Sequence, residues 1–472
     1  MLFNTIEYAY FFAIVLVLYW SVHRWRDARN LVLLAANWFF YNRLHYTFPL
    51  YLLGMISVGY VFARAIEKEE RQGKRKAILT AGIIILGFGL TYIKYSGLIL
   101  GNIAGLEQWQ ASALHILVPL GISYYTFSSI GYITDVYRRR LPAQRNFVTY
   151  ASYISFFPHL LSGPIPASVN VLPQFSNISI PTWAMIERSV GEIIWGLFKK
   201  MVLAAHAEKV VNYCYASYAD LNGSTVFLGV MLFNLYLYAD FSAYSDIARG
   251  VGRLLGIELT QNFKMPFFSR NPGEFWRRWH TSLRKWMLDY LYLPLGGNRG
   301  GKLQYILAIL FIFSFSGLWH GANMTFVCWG LLNGIYFMPY ILTDSLTRYK
   351  DAPAAGKLLP SARVAGQIAF TFLLTTLSRI FFRAPDMTVV RGLILKIFSK
   401  TFLQLPLQLV YSKVLMFVPL LAFEWVQREK DYVLQLSTKN VYIRIAGYIA
   451  VVALICLLYK KQNASEYYYF KF

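Results

Sequence analysis

The chain has 472 residues, of which 57% are hydrophobic and 18% aromatic, while only 15% carry a charge; soluble domains average about a quarter charged. That balance excludes a water-soluble globule and fits an integral membrane protein in a lipid bilayer. The net charge of +23 raises nucleic acid as a partner, but Lys and Arg sit in short clusters between apolar runs and form no basic stripe, so the pattern argues for membrane topology and no nucleic acid.

Phe11–Trp20 is the first apolar run. Arg24, Arg26 and Arg29 follow it, and no small-residue cleavage site comes after, so it reads as a retained first span. Uncharged runs then succeed one another at Leu31–Asn42, Leu44–Ala63, Ala77–Ile93, Gln108–Thr134, Asn146–Ile186, Leu221–Ala239, Leu303–Thr343, Val364–Ser378 and Ile445–Tyr459. Since about 20 residues cross a bilayer core, the longer runs must hold a turn or two passes. Shorter spans fit near Glu192–Ala205 and Val414–Phe423. The expected fold is all-α: a single integral membrane domain over residues 1–472, a polytopic transmembrane helical bundle with about 11 spans plus re-entrant and interfacial helices. No polar linker or low-complexity tract divides it. The basic clusters Arg24–Arg29, Arg64–Lys76 and Arg138–Arg145 can share the cytoplasmic face, with the N-terminus outside. Lys439 and Arg444 before the last span, and Lys460 and Lys461 after it, leave the C-terminus unoriented. Cys214, Cys328 and Cys456 lie in or near apolar stretches without CxxC or metal spacing, and read as small core residues.

Two stretches look broken at membrane depth, where irregular backbone survives only when protein or a water-filled cavity surrounds it. In Phe157-Pro158-His159-Leu160-Leu161-Ser162-Gly163-Pro164-Ile165-Pro166, proline removes amide donors and glycine permits a tight bend. Leu295-Gly296-Gly297-Asn298-Arg299-Gly300-Gly301 is either a flexible loop or a ligand-contacting one, and its spacing is not a P-loop.

Polar chemistry is densest from Asp240 to His320. Asp240 and Asp246 close an uncharged run, as a helix-end polar network or as direct participants. Glu274-Phe275-Trp276-Arg277-Arg278-Trp279-His280, followed by Leu283-Arg284-Lys285-Trp286, alternates basic residues with indoles. This is either an interfacial helix at headgroup level or a basic face on which Arg277, Arg278, Arg284 and Lys285 attract a phosphate-bearing donor such as coenzyme A. His320 differs from all of these, because no Asp, Glu, Lys or Arg occurs from Leu303 to Thr343. A neutral imidazole there can accept a hydroxyl proton, as an acyl-transfer base must, or can make interhelical hydrogen bonds.

The motifs Asp-Phe-Ser-Ala-Tyr-Ser-Asp at Asp240–Asp246, Glu-Phe-Trp-Arg-Arg-Trp-His at Glu274–His280, Asp289–Arg299 and Trp-His-Gly at Trp319–Gly321 together resemble the membrane-bound O-acyltransferases, in the bacterial branch of alginate O-acetyltransferases. The opening Met1-Leu2-Phe3-Asn4, the Pro158–Pro164 segment and the aromatic end Tyr467–Phe472 extend the likeness over essentially the whole chain. The resemblance implies an enzyme of the bacterial cytoplasmic (inner) membrane. It would take an acyl group, most often acetyl, from a cytoplasmic thioester such as acetyl-CoA and deliver it across the membrane to a polysaccharide hydroxyl, with no bound cofactor. It implies His320 as catalytic base and His280 as a positioning group, and an extracytoplasmic partner related to SGNH hydrolases. Trp279, Asn298 and Asn323 fall in or beside the donor-binding and oxyanion regions. Two rivals stand: D-alanyl transfer from an acyl carrier protein to teichoic acid within the same fold, and, from another class, a transporter or lipid flippase, which needs no single base.

Overall fold

Helices carry nearly all of the chain, because in a bilayer each segment must satisfy its own backbone N–H and C=O groups. The structure, a computed structural model, describes residues 1–104, 118–297, 299–321, 323–435, 440–459 and 467–468. Asn298, Lys439, Lys460, Lys461 and residues 469–472 lie outside the described residues. Among those described there is no β-strand, and eight helices are long and apolar enough to cross a membrane: Phe48–Lys68, Gln72–Tyr95, Gly223–Leu254, Gly301–His320, Met324–Leu342, Ala362–Arg383, Gln408–Val426 and Val441–Leu458. Ile6–Ser21 is a shorter apolar helix. This is an all-helical, multi-pass integral membrane protein.

The chain forms two compact units, Met1–Ile186 with Val251–Thr260, and Glu187–Gly250 with Gln261–Phe472. In the first, the run Asn146–Ile186 is broken into Phe147–Ser155, the single turn Phe157–Leu160 and Ser168–Ser176. The break is satisfied internally: Asn37 accepts the Phe157 N–H at 2.9 Å through Oδ1 and donates through Nδ2 to Ser155 Oγ at 3.1 Å. Gly121, at φ +82°, lies so close to this turn that a Cβ would fall 2.2 Å from the Leu160 carbonyl oxygen.

The second unit is organised around Gly223–Leu254, of which 83% of the best spanning window is buried inside the protein, against 11% for Gln72–Tyr95. Asp240 and Asp246, for which a helix-end polar network or direct participation stood open, lie well inside this helix. Their partners come from the short span expected near Glu192–Ala205. There the α-helix Trp183–Phe198 passes into a π-helical turn over Lys199–Ala204. Lys200 Nζ meets Asp240 Oδ1 at 2.7 Å and Lys199 Nζ meets Asp246 Oδ2 at 2.7 Å. Asp240 also accepts the Tyr468 N–H at 2.7 Å, tying the aromatic end of the chain to the core. Burying an ion costs several kcal/mol, which only such close pairing offsets. The helices Gly301–His320 and Met324–Leu342 pack so tightly that a Cβ on Gly317 or Gly330 would fall 2.2 Å from the carbonyl oxygens of Phe326 and Phe313. Small residues at such a crossing let transmembrane backbones meet.

Lys200→Met, which strands Asp240 in the core, is expected to cost about 3–5 kcal/mol. The double variant Lys200→Met/Asp240→Asn, with no charge left to strand, should recover most of the loss in the thermal midpoint of the purified protein.

Candidate functional site

All of the described candidate residues belong to the second unit. The Glu274–His280 motif begins on a short helix, Pro272–Arg278, that forms for local reasons. Asn271 caps it by accepting the Glu274 N–H at 2.7 Å, and Pro272 occupies its first turn. Glu274 then pairs with Arg270 and Arg278, both at 2.9 Å. The Arg278 guanidinium is therefore engaged, donating also to the Lys264 carbonyl at 3.3 Å. Lys285 is exposed, and neither it nor Arg278 lines the cavity described next.

That cavity, about 130 Å³ in volume, is lined by Arg277, Arg284, Tyr305 and His280, and by apolar side chains that include Trp276, Ile309, Ile312 and Phe313. Arg277 donates to the Leu346 and Tyr349 carbonyls at 3.3 and 2.7 Å, bonds that leave its charge in place. Burial first, and the Arg277 charge second, hold the Arg284 guanidinium below its ordinary pKa, so an anion in this corner would relieve both. From Tyr305 the wall continues through Ile309 and Ile312 to Ser316, one helical turn short of His320 on the same face. A small cavity of about 20 Å³ beside Lys199, Asp246 and Glu424 has room for roughly one water.

His280 is 2% exposed and adopts φ +44°, a left-handed backbone uncommon outside glycine. Asn262 fixes the strand of chain that follows, its carbonyl accepting the Thr281 N–H and its Oδ1 the Ser282 N–H, both at 3.1 Å. Neither ring nitrogen of His280 has a hydrogen-bond partner among the described residues. Burial pushes its imidazole down to about 3, so it is neutral throughout the physiological range. Trp319 lies against both histidines, with ring centres 6.2 Å from His280 and 4.6 Å from His320.

His320 ends the helix Gly301–His320 and is buried. Its ring is also walled by Phe382 at 4.9 Å and Trp329 at 5.2 Å. Trp329 and Phe382, with Trp279, surround the guanidinium of Arg379 at 5.9, 5.5 and 4.6 Å. Arg379 Nε donates to Asn234 Oδ1 at 3.2 Å. Trp279 thus sits in this aromatic box and not in the cavity wall.

Two oxyanion sources suggested by the sequence find other settings. Asn323 caps Met324–Leu342 by accepting the Thr325 N–H, and its Nδ2 donates to the Pro385 carbonyl. The Gly-rich loop lies at the far end of Gly301–His320, about 28 Å away at 1.5 Å per residue. It cannot reach a carbonyl at His320. Lys199, Lys200, Arg379 and Ser316 escaped the sequence reading. A charge interrupting an apolar helical pattern was the available signal for the first three.

The comparisons agree with this architecture. The model of the MBOAT, membrane-bound O-acyltransferase family matches residues 138–378. The chain is 33% identical over 368 residues to a probable alginate O-acetylase AlgI of Pseudomonas syringae pv. tomato, covering 76% of this chain and 68% of the relative. It is 34% identical over 382 residues to that of Azotobacter vinelandii, covering 79% and 73%. A peptidoglycan O-acetyltransferase of Helicobacter pylori is 31% identical over 384 residues, covering 76% and 71%. With a buried Trp-His pair at the end of a membrane helix and a basic-mouthed cavity running toward it, the chain belongs to the membrane-bound O-acyltransferase family and is an O-acyltransferase.

Proposed function

We propose that this enzyme moves an acetyl group from acetyl-CoA across a bacterial cytoplasmic membrane to a hydroxyl of an extracytoplasmic polysaccharide, by way of an SGNH-hydrolase-like partner. The relatives' named reactions, alginate and peptidoglycan O-acetylation, support the acetyl group and the acceptor class. The observation that carries the reading is the cavity itself, which joins two arginines, through an apolar throat, to the helix face that ends in His320.

On this reading the donor's phosphates rest on Arg277 and Arg284, by charge-assisted hydrogen bonds. The pantetheine arm and thioester lie along Ile309, Ile312 and Ser316. His320 removes the acceptor hydroxyl proton as the oxygen attacks the thioester carbonyl. The tetrahedral intermediate collapses with cleavage of the C–S bond, and the proton passes from His320 to the departing thiolate. The products are an ester and a free thiol. His280, neutral and without a partner of its own, offers one N–H toward the cavity to orient the thioester.

His320→Ala is expected to lower the rate of transfer by about 10²–10⁴-fold while membrane insertion persists; labelled acetyl-CoA with the purified protein reads it, and near-normal transfer sinks the mechanism. His280→Gln should reduce kcat without moving any ionisation between pH 5 and 8 in the rate profile, because the imidazole, held at about 3, does not titrate there. Arg277→Gln/Arg284→Gln is expected to raise KM for acetyl-CoA at least tenfold, as for the loss of one or more charge-assisted contacts, yet to leave a phosphate-free acetyl thioester of N-acetylcysteamine unaffected. An equal loss for both donors would remove the phosphate assignment. Thiol release from a D-alanyl carrier protein, and none from acetyl-CoA, would transfer the reading to teichoic acid D-alanylation.

A further inference from the structure

An imidazole's own covalent geometry does not choose which way its nitrogens face, because its second side-chain torsion is broad. A general base must nevertheless present one nitrogen within hydrogen-bond reach of the proton it takes. At His320 that choice falls to the surrounding rings. Phe382 and Trp329 meet the imidazole at interplanar angles of 75° and 88°, with ring centres 4.9 and 5.2 Å away. They come from different helices, Ala362–Arg383 and Met324–Leu342, and their own centres are 5.0 Å apart. Two rings so placed restrict the imidazole to a narrow range of tilt.

No hydrogen bond sets the orientation of these two rings: phenylalanine has none to give, and the Trp329 indole N–H has no partner among the described residues. Both rings instead share the guanidinium of Arg379, which lies 5.5 Å from Phe382 and 5.9 Å from Trp329. Attraction between a cation and the negative face of a ring depends on orientation and grows when water is excluded. Arg379 is 1% exposed. It is itself fixed, because Asn234 Oδ1, on the helix Gly223–Leu254, accepts from its Nε at 3.2 Å while Asn234 Nδ2 donates to Thr376 Oγ1 at 3.1 Å. A line of contact therefore runs from the buried frame of the second unit, through one cation, to both rings and on to the imidazole.

We propose that Arg379 is a positioning residue for acyl transfer, its guanidinium holding the Phe382 and Trp329 rings in the arrangement that orients the His320 imidazole. The proposal rests on the reading of His320 as the base. Arg379 needs no contact with either substrate and acts on the rate through His320.

The test is a cycle of Arg379→Met, His320→Ala and the double variant, read as rates of transfer from labelled acetyl-CoA by the purified full-length protein. Arg379→Met should lower kcat by about 10–10²-fold, the scale of a small misplacement at a reacting group. KM for acetyl-CoA should stay unchanged, because Arg277 and Arg284 are untouched. In the His320→Ala background the same substitution should have no further effect on the residual rate, since an orientation cannot be lost twice. Phe382→Leu, which alters no charge, should repeat the pattern and serves if Arg379→Met does not fold. An unchanged kcat, or a loss that multiplies equally in both backgrounds as general loosening of the fold would, overturns the positioning role while leaving His320 as the base. Near-normal transfer by His320→Ala alone overturns the base and the proposal with it.

Discussion

The second unit depends on pairing four charges inside its helices, three of them buried and Asp246 largely so. Lys199 and Lys200, adjacent in sequence, reach two aspartates six residues apart on Gly223–Leu254, about 9 Å along its axis. The π-helical turn that carries the lysines changes the angle between successive side chains, so that both face one neighbour. Two apolar helices alone would be free to slide or rotate against each other, since lipid solvates them as well as they solvate each other. The ion pairs remove that freedom, because any slip separates charges in a medium that does not screen them. On this fixed helix Tyr238 and Phe241 hold positions beside Trp279 and His280.

The candidate site is built on that frame from two kinds of constraint. Backbone proximity at Gly317 and Gly330 holds the helix that ends at His320 close to the next, whose Trp329 lies against its ring. Aromatic packing does the rest: Trp279, Trp329 and Phe382 enclose Arg379, and two of these three rings also wall the imidazole. A cation held over aromatic faces stiffens the cluster around His320.

Much of this was legible in the amino-acid order. The break at Phe157–Pro166 and the isolation of His320 in an uncharged run both follow from local rules, and each is present. The motif residues also established the family. The roles assigned within the site divided according to distance along the chain. Arg277 and Arg284 line a common cavity as their alternation with indoles suggests, whereas Arg278 is taken by a glutamate four residues earlier and Lys285 is left in the open. Asp240 and Asp246 lie forty and forty-seven residues from their lysines, a separation at which no periodicity speaks. The Gly-rich loop and His320 look near in sequence only because the intervening helix is invisible until its length is counted.

The hydrogen bond that the interrupted backbone at Phe157 donates to Asn37 bears on how the protein is made. A segment with unsatisfied amides cannot partition into lipid by itself, so Phe147–Ser176 has no stable address in the bilayer as an isolated insertion unit. Its complement, however, lies more than a hundred residues upstream and leaves the ribosome first. Asn37 is therefore already waiting, and the N-terminal helices serve as a receptor for a later piece of the same chain. Biogenesis of this enzyme must keep that early surface accessible until the broken segment arrives, which makes the order of synthesis part of the fold.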